Sequence, residues 1–258
     1  MSRRNSLYLL TVVVITILAA GCGGGGSGST GTPSPAPVQG AFSGTISPSG
    51  FSFDNLVLPN GVIWGVYGTS TSTNSSTGLS MSGFFTGQGS ASSTGVYTAN
   101  VTDFNPALGQ KFSATVSTTY SPSGGLNGTF SEPTGSGTQT ITGTTGFPNT
   151  NYNFNSPASL SSIAKAWPLQ QGTLNINSSG TVTGNSSTCA IAGTFTPDNS
   201  NNNFFNVSLT LTGTCTAAGT LVVTGIAVDY TLSNGLTQLV VLTVNSTSDV
   251  TFTAVSTM

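Results

Sequence analysis

From Ala41 onward, apolar residues recur at every second position in short runs, and Gly, Asn, Ser and Pro break the runs. Phe112, Ala114, Val116, Thr118 and Tyr120 share one parity; so do Ile191, Gly193 and Phe195, and so do Val207, Leu209 and Leu211. A period of two puts each set on one face of a strand, with Ser, Thr and Asn on the other. Only residues 159–166 (SLSSIAKA) suggest helix, one or two turns that stop before Pro168. The pattern predicts an all-β protein, an antiparallel sandwich or barrel built from about a dozen or more short strands.

Two hairpins can be drawn. Asn60-Gly61 and Asn234-Gly235 each lie between apolar runs, and Asn-Gly suits a two-residue type I′ turn. Such a loop sets Pro59 opposite Val62, Leu58 opposite Ile63 and Val57 opposite Trp64; at the second turn it sets Leu232 opposite Thr237. Strands flanking the second turn are apolar on both faces (Val222, Ile226, Val228; Leu239, Val240, Val241, Leu242), which predicts central strands covered on two sides. A polar stretch, residues 132–157, reads as a loop that divides the chain. Two layouts follow: one large sheet system, or two β-units at about 41–147 and 158–258.

The first 22 residues read differently. Arg3 and Arg4 precede an apolar run from Leu7 to Leu18, followed by the small residues Ala19, Ala20 and Gly21. That is the layout of an export signal, and the run is short for a membrane-spanning helix, which needs about 20 residues. Cys22 directly after Leu18-Ala19-Ala20-Gly21 resembles the lipobox of bacterial lipoproteins, with Ala19 where Leu is commonest and Leu18 one place further out. The resemblance implies a signal peptide at 1–21, cleavage before Cys22, and acyl chains such as palmitate on the Cys22 thioether glycerol and the new amine. Several acyl chains anchor a protein firmly. Gly23, in place of the Asp that retains such proteins at the inner membrane, implies the outer membrane. Residues 22–40 then form a lipidated tether rich in Gly, Ser and Pro.

Composition narrows the function. Charged residues are 4% of the chain, against about 25% in an average domain. After cleavage, Lys111 and Lys165 face six acids, Asp54, Asp103, Glu132, Asp198, Asp229 and Asp249, a side-chain balance of −4. Two cations cannot neutralise a run of phosphates, so a nucleic-acid partner is excluded. Fourteen Phe, 6 Tyr and 2 Trp supply the apolar surface for a core.

Chemistry is sparse. Histidine is absent, so no Ser-His-Asp, Cys-His or His-ligated zinc site exists. Ser162-Ile163-Ala164-Lys165 matches the S-x-x-K string of penicillin-binding proteins in four letters, without its companion motifs. Six acids allow a carboxylate pair, but none stands out. Asp198 to Asn202 alternates oxygen donors without the acidic residue that closes a calcium loop, and reads as a turn. No metal or other cofactor is expected. Cys189 and Cys215 both fall on the apolar parity of their strands, which suggests a structural disulfide; directly opposite pairing would set Phe195 against Leu209. Trp64 and Tyr67 differ by an odd number, so they point to opposite faces, one of them into the core. They lie close in sequence to Phe84 and Phe85, aromatics able to stack on a sugar or line a cavity.

The Gly-rich hairpin before a Cys, from Trp167 to Phe195, resembles the META-type lipoprotein domain. The sheet-rich halves resemble the barrel lobes of transferrin-binding-type surface lipoproteins. Neither resemblance carries a functional residue across. The chain as a whole reads as a non-enzymatic outer-membrane lipoprotein, an envelope binding or interaction module. Its expected partners are the membrane, through the anchor, and an envelope protein, a glycan or a small apolar ligand. A structural coat lipoprotein is the alternative, and a hydrolase with an unrecognised carboxylate site ranks third.

Overall fold

The computed structural model describes residues 38–72, 78–106, 109–121, 124–186, 189–214 and 219–258. The leader, Cys22 and the tether up to residue 37 lie outside these. Val38 is already buried and the first strand opens at Gly40, so the folded part begins inside the span expected as tether.

Sixteen strands form two antiparallel sheets in which each strand pairs with the next in sequence. The first contains β1 (Gly40–Ser47), β2 (Phe51–Val57), β3 (Val62–Ser70), β4 (Ser80–Ala91), β5 (Val96–Asn105), β6 (Gln110–Ser121), β7 (Gly125–Glu132) and β8 (Gly137–Thr145). β8 pairs back onto β1, Ile46 opposite Ile141, and closes a barrel. The second contains β9 (Ala166–Leu169), β10 (Gly172–Ile176), β11 (Thr181–Ser186), β12 (Cys189–Pro197), β13 (Phe205–Gly213), β14 (Thr220–Thr231), β15 (Thr237–Val244) and β16 (Thr251–Thr257). It curls into a nearly closed barrel. At its seam the Ser256 hydroxyl on β16 donates to the Pro168 carbonyl on β9, at 2.6 Å. A short helix, α1 (Leu160–Ile163), precedes β9.

Alternation sorts the side chains into three apolar layers. Phe42, Phe53, Ile63, Phe85, Val101 and Val116 fill the first barrel. Trp167, Leu174, Phe195, Phe205, Leu209 and Val241 fill the second. Between the barrels, Leu56, Trp64 and Phe84 from the outer faces of β2–β4 meet Ile226, Val228, Val240 and Leu242 from β14 and β15. The segment joining the barrels adds Phe147, Tyr152 and Phe154 to that layer. β14 and β15 are therefore covered on both faces, as their composition predicts. Val222 is the exception: at 52% exposed it lies outside the covered part of β14.

Both hairpins are one residue off the predicted register. Val57 faces Ile63 and Leu56 faces Trp64, while Thr231 faces Thr237. The loops hold three residues rather than two. Gly61 N–H donates to the Leu58 carbonyl and Gly235 N–H to the Leu232 carbonyl, both at 2.9 Å. Only the glycines take positive φ, +82° and +87°, whereas a type I′ turn needs it at both central residues. Asn60 and Asn234 instead use their side-chain oxygens to accept the N–H of Val62 and of Leu236. A one-residue shift reassigns every cross-strand pair; here it puts Trp64 with Leu56 in the layer between barrels.

The stretch 132–157 is also not a single loop, since β8 lies within it and closes the first barrel. Its sequence, GTQTITGTT, has one large apolar residue, Ile141. Backbone pairing on both sides holds it as a strand.

Candidate functional site

Parity along β5 puts Tyr97, Ala99, Val101 and Asp103 on the inward face, because Ala99 and Val101 pair across β6 with the inward Val116 and Ala114. Along β7 the same parity carries Leu126, Phe130 and Glu132 inward. Two acids thus enter an interior whose other buried polar side chains include Asn55 and Thr118. Their carboxyl groups lie within hydrogen-bonding reach of each other. Both are buried, at 3% and 4% exposed.

Neighbours fix this pair. The Tyr67 hydroxyl on β3 donates to Asp103 Oδ2 at 2.8 Å. Tyr67 fits because the residue opposite it on β4 is Gly83; a Cβ there would sit 2.2 Å from the phenol oxygen. Glu132 Oε2 accepts from the Ser136 N–H at 3.0 Å and the Ser136 hydroxyl at 2.8 Å, which ties the turn between β7 and β8 to the site. Apart from the carboxyl proton that Asp103 and Glu132 can share, no donor among the described residues reaches Asp103 Oδ1, Glu132 Oε1 or Gln139 Oε1, nor Asn55 Oδ1 on β2. Burial first, and then the hydrogen-bonded Glu132, raise the Asp103 carboxyl to about 8 against the lowering pull of Tyr67. Two carboxyl groups in contact cannot both ionise cheaply, so Asp103 keeps a proton at neutral pH that it can share with Glu132. Burial, and then Asp103, also raise the Tyr67 phenol.

The pair lines a cavity of about 250 Å³ at one end of the barrel. Five aromatic rings wall it, Phe51, Tyr67, Phe85, Phe112 and Phe130, and no lysine or arginine does. Phe85 and Phe130 are buried, with ring centroids 5.2 Å apart, whereas Phe51 and Phe112 are half-buried at the rim. The opposite end is plugged: Tyr97 is fully buried and its hydroxyl donates to the Gly61 carbonyl at 2.8 Å. The cavity opens beside the turns after β1 and after β7, whereas β1 begins at the plugged end.

Other residues singled out in the sequence lie elsewhere. Trp64 and Tyr67 do point to opposite faces, Trp64 into the layer between barrels and Tyr67 into the cavity; Phe84 and Phe85 divide in the same way. Ser162 lies in α1, its hydroxyl on the Ser159 carbonyl at 2.8 Å. Lys165 sits 4.4 Å over the Trp167 ring. Both flank Asp229, whose carboxyl burial raises and Ser162 and Lys165 lower. Asp198 accepts from the Ser200 N–H at 3.0 Å, a turn contact. Cys189 is buried in the second barrel. Phe195 faces Val207 rather than Leu209, which puts Gly213 opposite Cys189; Cys215 lies outside the described residues. No group of three or more acids or cysteines gathers as a metal site among the described residues.

Comparison of the chain with protein-family models, with curated proteins and with solved structures finds no match. The cavity and its carboxyl pair are therefore the features from which a function can be read.

Proposed function

We propose that this protein is an exported lipoprotein of the bacterial outer membrane whose first barrel binds a small molecule without transforming it. One observation carries the binding role: an aromatic cavity that ends on a buried carboxyl pair with at most one proton between them and on a Gln139 oxygen without a donor among the described residues. Leaving a buried polar atom unpaired costs about 1–3 kcal/mol, and a ligand that donates to Asp103, Glu132 and Gln139 recovers that cost. An apolar pocket with a few convergent polar groups is the usual form of a small-molecule site.

The lipobox-like segment before Cys22 supports the anchor. The folded part starts at the plugged end of the barrel, with β1 at Gly40. A disulfide between Cys189 and Cys215 fits an exported chain. Cys189 and Gly213 are opposite in register, which leaves Cys215 two residues further along.

The carboxyl pair favours one second reading, acid–base hydrolysis, because two carboxyls sharing one proton are a known catalytic arrangement. Against it, both groups are tied down by hydrogen bonds from Tyr67 and Ser136.

The test is native mass spectrometry on the full chain, extracted from membranes in mild detergent. The expected result is a bound small molecule, recovered unchanged, that a mouth-blocking Ser49→Trp variant lacks. Recovery of a cleaved product would move the protein to the hydrolase reading. In the same preparations Cys22→Ser should leave the membrane fraction; a variant that stays behind would sink the anchor.

A further inference from the structure

Resting on that cavity reading, we propose that the ligand is a small organic amine, held as its ammonium ion with the nitrogen at Asp103 and Glu132 and the carbon skeleton among the aromatic rings. Three observations converge on this class. First, the polar end of the cavity is a pair of carboxyl groups in hydrogen-bonding reach of each other, beside a Gln139 Oε1 that no donor among the described residues reaches; an ammonium brings three N–H donors and nothing that accepts. Second, two carboxyl groups stand there with no lysine or arginine in the lining. Such a site repels an anion and gives a cation its strongest attraction, because desolvated charges interact strongly. Third, the walls are five aromatic rings, whose faces attract a cation while their area buries hydrocarbon.

A bare metal ion fits less well. Calcium takes about six to eight oxygen ligands and magnesium demands an octahedron, but beyond the carboxyl pair and Gln139 this cavity is walled mostly by aromatic rings. A neutral alcohol could donate one hydrogen bond but would leave the negative charge of the pair uncompensated.

Charge balance gives the proposal a signature. The empty pair holds a proton at neutral pH, Asp103 being raised to about 8 by burial and then by Glu132. Of the elements packed around Asp103, β3 contributes Tyr67 and β7 contributes Glu132. Among the described residues, the remaining lining is neutral, and Lys111 on β6 is turned away to pair with Asp249. An incoming ammonium takes the place of the shared proton, which leaves to solvent. One cation enters, one proton departs, and no bond of the amine breaks. Affinity therefore rises with pH up to about 8.

The test is titration calorimetry on the full chain in detergent, with benzylamine and phenethylamine as probes and benzyl alcohol as the neutral comparison. The amines should bind about tenfold or more tighter than the alcohol. Their enthalpy should vary with the buffer's own ionisation heat, which reads proton release. Asp103→Asn, of the same shape, should abolish that release. Phe112→Leu, at the half-exposed rim, should weaken binding and keep the release. Equal affinity for amine and alcohol, or amine binding with no proton released, overturns the ammonium assignment. Failure of both amines, with another molecule still found in the wild-type cavity by mass spectrometry, overturns the amine class and leaves the cavity reading standing. Failure of the amines together with an empty cavity overturns both.

Discussion

The two barrels have the same number of strands in the same next-neighbour order, yet they are held together in opposite ways. In the first, a backbone ladder runs all the way round, including β8 onto β1. In the second, the seam between β9 and β16 relies on the Ser256 to Pro168 hydrogen bond, but the interior is filled. Trp167, Leu174, Phe195, Phe205 and Leu209 are each less than 2% exposed, and the indole N–H of Trp167 finds the Ile163 carbonyl at 2.9 Å. A ring closed by its own hydrogen bonds tolerates a hollow end and buried acids. A ring left open at one seam depends on packing. The difference separates a barrel with a cavity at one end from one whose interior is filled.

Core truncation should break this comparison most visibly. Trp167→Ala removes the largest fully buried side chain of the second barrel and should cost about 3–5 kcal/mol. Phe112→Ala removes a half-exposed ring from the cavity rim of the first barrel and should cost far less. Urea denaturation followed by the fluorescence of Trp64, which sits in the layer between barrels, measures both. Equal losses would mean that the first barrel depends on its cavity wall as much as the second depends on its core.

The next effect concerns the second barrel, at β12, away from its seam. If Cys189 and Cys215 are bonded, Cys189→Ser should destabilise the second barrel by about 3 kcal/mol through the entropy of the freed loop. The wild type in reductant should match it. Thiol labelling of both cysteines in the oxidised native protein would show that no such bond forms.

Much of this contrast is legible in the chain. Period-two runs assign faces correctly on β6, β12 and β13, and the doubly apolar β14 and β15 announce strands covered on both sides. Two things are harder to read. Asn-Gly marks both turns, but turn type depends on which of the two residues takes positive φ, and that slips each register by one. β8 hides because backbone closure, rather than apolar side chains, makes it a strand. The site is half visible. Tyr67 and Phe85 are two of the four aromatics that stand out in the sequence, with no sign of which face the cavity, while Asp103 and Glu132 lie on different strands and form a pair only when the barrel closes. A usable signal does exist: Asp103 is in phase with Tyr97, Ala99 and Val101, and Glu132 is in phase with Leu126 and Phe130. An acid on the apolar parity of a strand predicts a buried carboxyl, and a buried carboxyl needs a partner or a proton.

That buried carboxyl gives the most specific effect. Below about pH 4 the folded and the unfolded chain both keep Asp103 protonated, so Asp103→Asn is there close to isosteric and isoelectric. It retains an oxygen for the Tyr67 hydroxyl, and stability should change by no more than about 1 kcal/mol. The contrast lies in the pH dependence. A carboxyl raised from 3.8 to about 8 on folding holds a proton that the unfolded chain has released, so its contribution is greatest below the unfolded value and is lost as pH rises through the folded one. Wild-type stability should therefore fall relative to Asp103→Asn between about pH 4 and pH 8, and the difference should level off above. Asp54, buried beside Ser72 and raised to about 6 by that burial, has the same sign but is present in both proteins and cancels in the difference. Denaturation midpoints across this range decide the matter. Parallel curves would mean that Asp103 is ionised in the folded barrel, and with no proton to displace, the release expected on amine binding would vanish as well.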